Sequence, residues 1–135
     1  MNRRKAREYA LQMLFQLEFA GRDRLSVPDD FWVGKEDKED LKSFTQELFK
    51  GTTEHLEEID GIIRGAAENW DLMRMATVDR NILRFAVFEI VYRQDIPSAV
   101  TINEALEIAK KYSSQESAPF INGLLDKIAK NRGKS

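Results

Sequence analysis

The chain has 135 residues, of which 42% are hydrophobic and 33% charged, with a formal net charge of −2. That is long enough for one domain with a real core, 1–135, and too apolar for a disordered chain. With no Cys and a single His, disulfides, thiolate zinc sites and histidine-rich metal centres are excluded, and no run approaches the roughly 18 apolar residues of a membrane span.

The expectation is therefore a cytoplasmic protein with no metal or other cofactor. The small net charge conceals an asymmetry. Arg3, Arg4, Lys5 and Arg7 precede the first acid, Glu8, and Lys127, Lys130, Arg132 and Lys134 close the chain, while acids dominate between Glu36 and Asp60. Such a distribution can present a local positive patch on an acidic protein.

No segment alternates apolar and polar residues over a strand's length, and the chain reads as a series of helices. Residues 3–20 form the first. At about 100° per residue, Ala6, Ala10, Met13, Leu14 and Leu17 share its core face. Leu11, Phe15 and Phe19 make a second stripe nearly opposite, which meets either another helix of the same bundle or a partner protein. The cluster "RRKAR" begins the same helix, where cations oppose the helix dipole. It is either solvated surface or a phosphate-contacting segment, since arginine forks match phosphate oxygens.

Residues 21–37, with Gly, Pro and paired Asp, read as a loop. Leu41, Phe44, Leu48 and Phe49, then Leu56, Ile59, Ile62, Ile63 and Ala66, are spaced as two amphipathic helices, with Gly51 the expected break. His55 reads as a partly exposed residue on an acidic helix rather than a catalytic group. "KEDKED", residues 35–40, reads as a solvated face. No nucleophile elbow or phosphate loop is present, and no enzyme is expected.

"NWDLMRMATVDR" reads as a connection with Thr77 as the N-cap of the next helix. That helix, 78–94, is apolar all round and so belongs inside the others. "DIP" ends it at Pro97. Thr101 and Glu104 match a capping box for a fifth helix carrying Ala105, Ile108, Ala109 and Tyr112. Ser113–Pro119 reads as a turn into the last helix, "SAPFINGLLDKIAK". Within it, Gly123 is expected to let a neighbouring helix approach closely. Asn122 either ties the helix start to a neighbouring backbone or reaches RNA.

"VDRNILR", "DIP", "INEALEIAKKY" and "FINGLLDKIA", with "RRKAREYALQMLFQLE" at the N-terminus, together resemble the bacterial transcription antitermination factor NusB family. The resemblance covers both ends and most of the chain, leaving residues 21–40 outside it. It implies an all-α fold of about seven helices in two packed small bundles, and no catalysis. Family members pair with the small-subunit ribosomal protein NusE and bind boxA RNA. With other Nus factors and RNA polymerase they promote read-through in ribosomal RNA operons.

Carried over residue by residue, the resemblance implies RNA contacts from Arg3, Arg4, Lys5 and Arg7. Glu116 and Phe120 fall near the RNA surface at the start of the last helix, Glu116 as a modulator because it is acidic. Asn122 lies beside them. Phe15 and Asp79 fall at positions facing NusE, and Leu11 shares the stripe of Phe15. A second copy of the chain could cover the same stripe, giving a homodimer. One competing family shares this resemblance: the N-terminal domain of certain ribosomal RNA cytosine methyltransferases, which continues into a catalytic domain. This chain stops at Ser135, so a free-standing factor is expected. A structural adaptor with a merely solvated basic segment is the other alternative.

Overall fold

The computed structural model describes residues 2–20, 29–68 and 70–132. The expectations for residues 21–28 and for Lys134 lie outside them. Six α-helices are present among the described residues: α1 (Arg3–Ala20), α2 (Glu39–Glu54), α3 (Leu56–Ala66), α4 (Thr77–Tyr92), α5 (Ser98–Tyr112) and α6 (Ser117–Asn131). Two 3₁₀ turns, Asp29–Trp32 and Leu72–Arg74, occupy connections, and there is no strand among the described residues. The count is six rather than about seven because these connections hold only single tight turns.

The all-round apolarity of α4 has the consequence expected of it. Every residue from Asp79 to Ile90 is buried, and α4 packs against all five other helices. α1, α2 and α4 touch one another, as do α4, α5 and α6, so the two expected bundles share α4 as a spine. Each fully buried Leu, Ile, Val or Phe contributes about 1.5–3 kcal/mol. Ile82, Leu83, Phe85 and Val87 are all wholly inaccessible. α4 also buries charge, and each charged group is partnered. Arg84 grips both oxygens of Asp60 on α3 (2.9 and 3.0 Å) and Glu18 on α1 (2.6 Å). Arg80 reaches Glu18 and the carbonyl of Met75.

Several local expectations give way to tertiary ones. α5 begins at Ser98, directly after Pro97, so Thr101 lies a full turn inside it and is no cap. Its hydroxyl is buried and donates to Glu89 Oε1 at 2.8 Å, while Glu104 is taken by Arg4. Thr77 is the first residue of α4 rather than its cap, and Ala76 before it offers no side-chain bond. α4 stops at Tyr92, before the expected 94. α2 runs through Gly51 and breaks at His55, which stacks on Tyr92 with ring centroids 4.1 Å apart.

The two glycines exchange roles. A Cβ on Gly51 would lie 2.2 Å from the Phe88 ring, so that glycine is what lets α2 and α4 close together. A Cβ on Gly123 would meet nothing within 4 Å, and the close approach expected there is absent. Gly123 is exposed, where it costs α6 about 1 kcal/mol of helix propensity relative to Ala.

Candidate nucleic-acid interface

The first turn of α1 is held by Asn2, whose Oδ1 accepts the backbone N–H of Lys5 at 3.0 Å. That turn carries no acid. Arg3 lies over the Phe44 ring, 4.6 Å from its centroid. Lys5 points its ammonium towards the Tyr9 ring at 5.8 Å. Neither Arg3 nor Lys5 has a carboxylate within ion-pair distance among the described residues. Arg4 is half-exposed and closes a two-pronged pair on Glu104, with Nε donating to Oε1 at 2.9 Å and Nη2 to Oε2 at 2.7 Å. The Arg4 hydrogen bond holds the Glu104 carboxyl below its usual range and raises the Arg4 guanidinium in turn. Asn2, Arg3, Arg4 and Lys5 line one notch, with Glu104 and Val100 of α5 as its far wall. The site is thus a concave cluster of cations placed against the helix dipole, which local helix energetics alone would disfavour.

Arg7 does not share this exposure. It is 2% exposed, at the base of the notch, and turns inward. Its Nε and Nη2 donate to the two oxygens of Glu89 at 2.7 and 2.9 Å. Thr101 completes the same carboxylate from α5. The guanidinium of Arg7 is therefore occupied in joining α1 to α4.

At the start of α6, Glu116 is exposed and makes no capping bond. Phe120 is half-buried and meets the edge of Trp70 at 5.2 Å. Trp70 is 62% exposed, which leaves an aromatic step on the surface. Asn122 lies on another face of α6, grouped with Asp126 and Ala129 against Ile102 and Asn103 of α5. It is exposed and bonds no backbone among the described residues, where the tie expected of it is absent. The structure thus gathers Arg3, Arg4 and Lys5, pairs Phe120 with Trp70, and sets Asn122 apart. Two residues escaped sequence reasoning. Trp70 carried a signal, a large aromatic left in a polar connection. Glu104 carried one that pointed elsewhere, to a cap.

The second stripe of α1 grades outward: Leu11 is buried, Phe15 half-buried and Phe19 73% exposed. Leu11, Gln12, Phe15 and Gln16 line a second notch with Val78 of α4 and Tyr112 of α5. Asp79 adjoins it but faces inward, accepting from the hydroxyls of Ser113 (2.6 Å) and Ser117 (2.8 Å) and so fixing the α5–α6 turn. Glu8, which lines the first notch, accepts from Lys111 and from Tyr112 of the second. Burial pushes the Glu8 carboxyl up, but those two donors outweigh it and hold it below its usual range.

These features find a common context among known proteins. The family model described as the NusB family matches residues 4–130. A transcription antitermination protein NusB from Thermodesulfovibrio yellowstonii is 51% identical over 140 residues, covering 96% of this chain and 93% of that protein. Its counterpart from Desulfitobacterium hafniense is also 51% identical, covering 99% and 92%. Among solved structures, T. maritima NusB superposes with a TM-score of 0.84 at 39% identity, covering 96% of this chain and 92% of that one. A crystal structure of antitermination factors NusB and NusE in complex with dsRNA reaches a TM-score of 0.81 at 25% identity, covering 97% and 99%. Through matches that run along nearly its whole length, this chain belongs to the NusB family.

Proposed function

We propose that the protein is a non-catalytic transcription antitermination factor of the cytoplasm. It binds boxA RNA together with the ribosomal protein NusE and promotes read-through in ribosomal RNA operons. The observation that carries this reading is the notch at the start of α1. Arg3 and Lys5 stand there without carboxylate partners among the described residues, against the helix dipole, beside the half-exposed fork of Arg4. Cations so placed suit a phosphate backbone better than they suit the helix. The relatives' name as transcription antitermination proteins, and the NusB–NusE–dsRNA complex of a similar chain, support the same assignment.

Within this reading Arg3, Arg4 and Lys5 position the RNA backbone, and Phe120 with Trp70 offers a surface for an unpaired base. Glu116 stands near that surface as a modulating charge, and Asn122 serves a neighbouring face. Arg7 contributes by fixing α1 to α4. NusE docks on the notch of Leu11 and Phe15, and Asp79 supports that surface through the α5–α6 turn rather than by offering a free charge.

A titration with boxA-like RNA, with and without NusE, tests the proposal. Binding that tightens when NusE is present is expected, and no binding under either condition would overturn it. Phe15→Asp should abolish NusE capture while leaving RNA binding by the isolated chain intact. Retained capture places the partner elsewhere.

A further inference from the structure

Arg4 already sits in the geometry by which arginine grips a phosphate. Two parallel N–H donors meet the two oxygens of Glu104 at 2.9 and 2.7 Å, the fork-on-fork arrangement that carboxylate and phosphate share. The Nε edge of the fork cannot hold both anions, so a phosphate that takes this two-pronged edge must displace Glu104. Glu104 has a second cation within reach, Nη1 of Arg7 at 3.8 Å from Oε1. If Arg4 leaves, the carboxylate is not stranded.

We infer that Glu104 stands in for an RNA phosphate on Arg4 in the free protein. RNA binding is then an exchange in which Arg4 passes from carboxylate to phosphate while Glu104 falls back on Arg7. Glu104 is thereby the affinity-setting residue of the interface, without itself touching RNA. The inference rests on the first turn of α1 being the RNA surface. Because Arg4 is half-exposed, its pair with Glu104 is weak enough to be exchanged. The exchange nonetheless subtracts from binding, since Glu104 trades a two-pronged pair at 2.7–2.9 Å for a single longer contact with Arg7 at 3.8 Å.

The test is titration of the full chain with a boxA-like single-stranded RNA across a salt series. Glu104→Gln should bind about two- to five-fold more tightly, the equivalent of one exposed ion pair. Its salt slope should match the parent's, because the same phosphates are contacted in both. Glu107→Gln is the control: that acid pairs with Lys110 and acts on Arg4 only through space, so its gain should be smaller. In an Arg4→Ala background the gain from Glu104→Gln should vanish. Glu104→Ala gives a second variant should the first melt early, and both are compared with the parent by circular dichroism. Unchanged or weaker binding by both folded Glu104 variants overturns the inference. So does an equal gain from Glu107→Gln, or a gain that survives Arg4→Ala. Loss of affinity in Arg3→Ala and Lys5→Ala beside an inert Glu104→Gln would sink the exchange alone. Inert Arg3, Lys5 and Arg4 variants would sink the RNA surface and the exchange together.

Discussion

Arg4 and Arg7 stand one turn apart on α1, and each closes a two-pronged pair on a distant carboxylate. Arg4 holds Glu104 at a half-exposed surface, whereas Arg7 holds Glu89 where both partners are 2% exposed or less. A few ångströms of depth therefore separate two kinds of bond. The outer pair is screened by water and worth about 0–1 kcal/mol. The inner pair is buried on both sides, and breaking it leaves a buried carboxylate without its matching cation. One belongs to a surface that can exchange partners, and the other belongs to the fold.

The sharpest way to break this comparison is to truncate each arginine in turn. Arg7→Ala should destabilise the protein by about 3–5 kcal/mol, because the buried Glu89 loses the two-pronged ion pair that neutralises it. Arg4→Ala should lower the unfolding free energy by no more than about 1 kcal/mol. Chemical denaturation of both variants measures the difference. Similar losses would mean that depth does not separate them.

A second contrast sets the aromatic step on α6 against the core. Phe120→Ala should weaken RNA binding by about 1–3 kcal/mol if the ring stacks on a base. Its half-burial and its edge contact with Trp70 predict a stability loss below the roughly 3–5 kcal/mol of a fully buried phenylalanine. Paired melting curves and RNA titrations decide. A full core-sized loss with unchanged affinity would return Phe120 to the interior.

Smaller still is the effect of the unpaired cations. Arg3→Ala and Lys5→Ala should each lower the salt slope of RNA binding by about 0.7, with stability within about 0.5 kcal/mol of the parent. Identical slopes in parent and double variant would place the phosphates elsewhere.

What could be read from sequence follows the range of the interaction. α4 was legible because every face of it is apolar, and Pro97 punctuated the connection after it. The charge run at the N-terminus was legible as a cluster, but its division was not. Arg7 meets Glu89 across 82 residues and Arg4 meets Glu104 across 100, and nothing local announces either pair. Thr101 and Glu104 show the complementary failure. Their spacing fits a cap, yet each is claimed by a tertiary partner, and Pro97 lets α5 start a turn earlier. Glycine was ambiguous for the same reason. Gly51 is required by a Phe88 ring that arrives from α4, and Gly123 by no neighbour at all.

The mildest test returns to depth at the other end of α1. Burial pushes the Glu18 carboxyl up, but Arg80 and Arg84 outweigh it and hold the group below its usual range. A carboxyl lowered in the folded state binds fewer protons there than in the unfolded chain. Its contribution is present above the ordinary carboxylate range and is lost as pH falls through the lowered folded value. Glu8 and Glu104 are lowered as well, and Asp95, held by Arg93 at the exposed end of α4, is lowered to about 2; all add to the same acid limb, with Asp95 the most screened by water. Glu18 should dominate it, because it joins two arginines of α4 at once, while Arg84 keeps Asp60 and Arg80 keeps the Met75 carbonyl when it is removed. Melting temperature measured from neutral pH downward should therefore fall less steeply in Glu18→Gln than in the parent. Glu104→Gln, which removes only the exposed pair, should follow the parent closely. Parallel curves for the parent and Glu18→Gln would show that the α1–α4 clamp at Glu18 does not govern the acid limb.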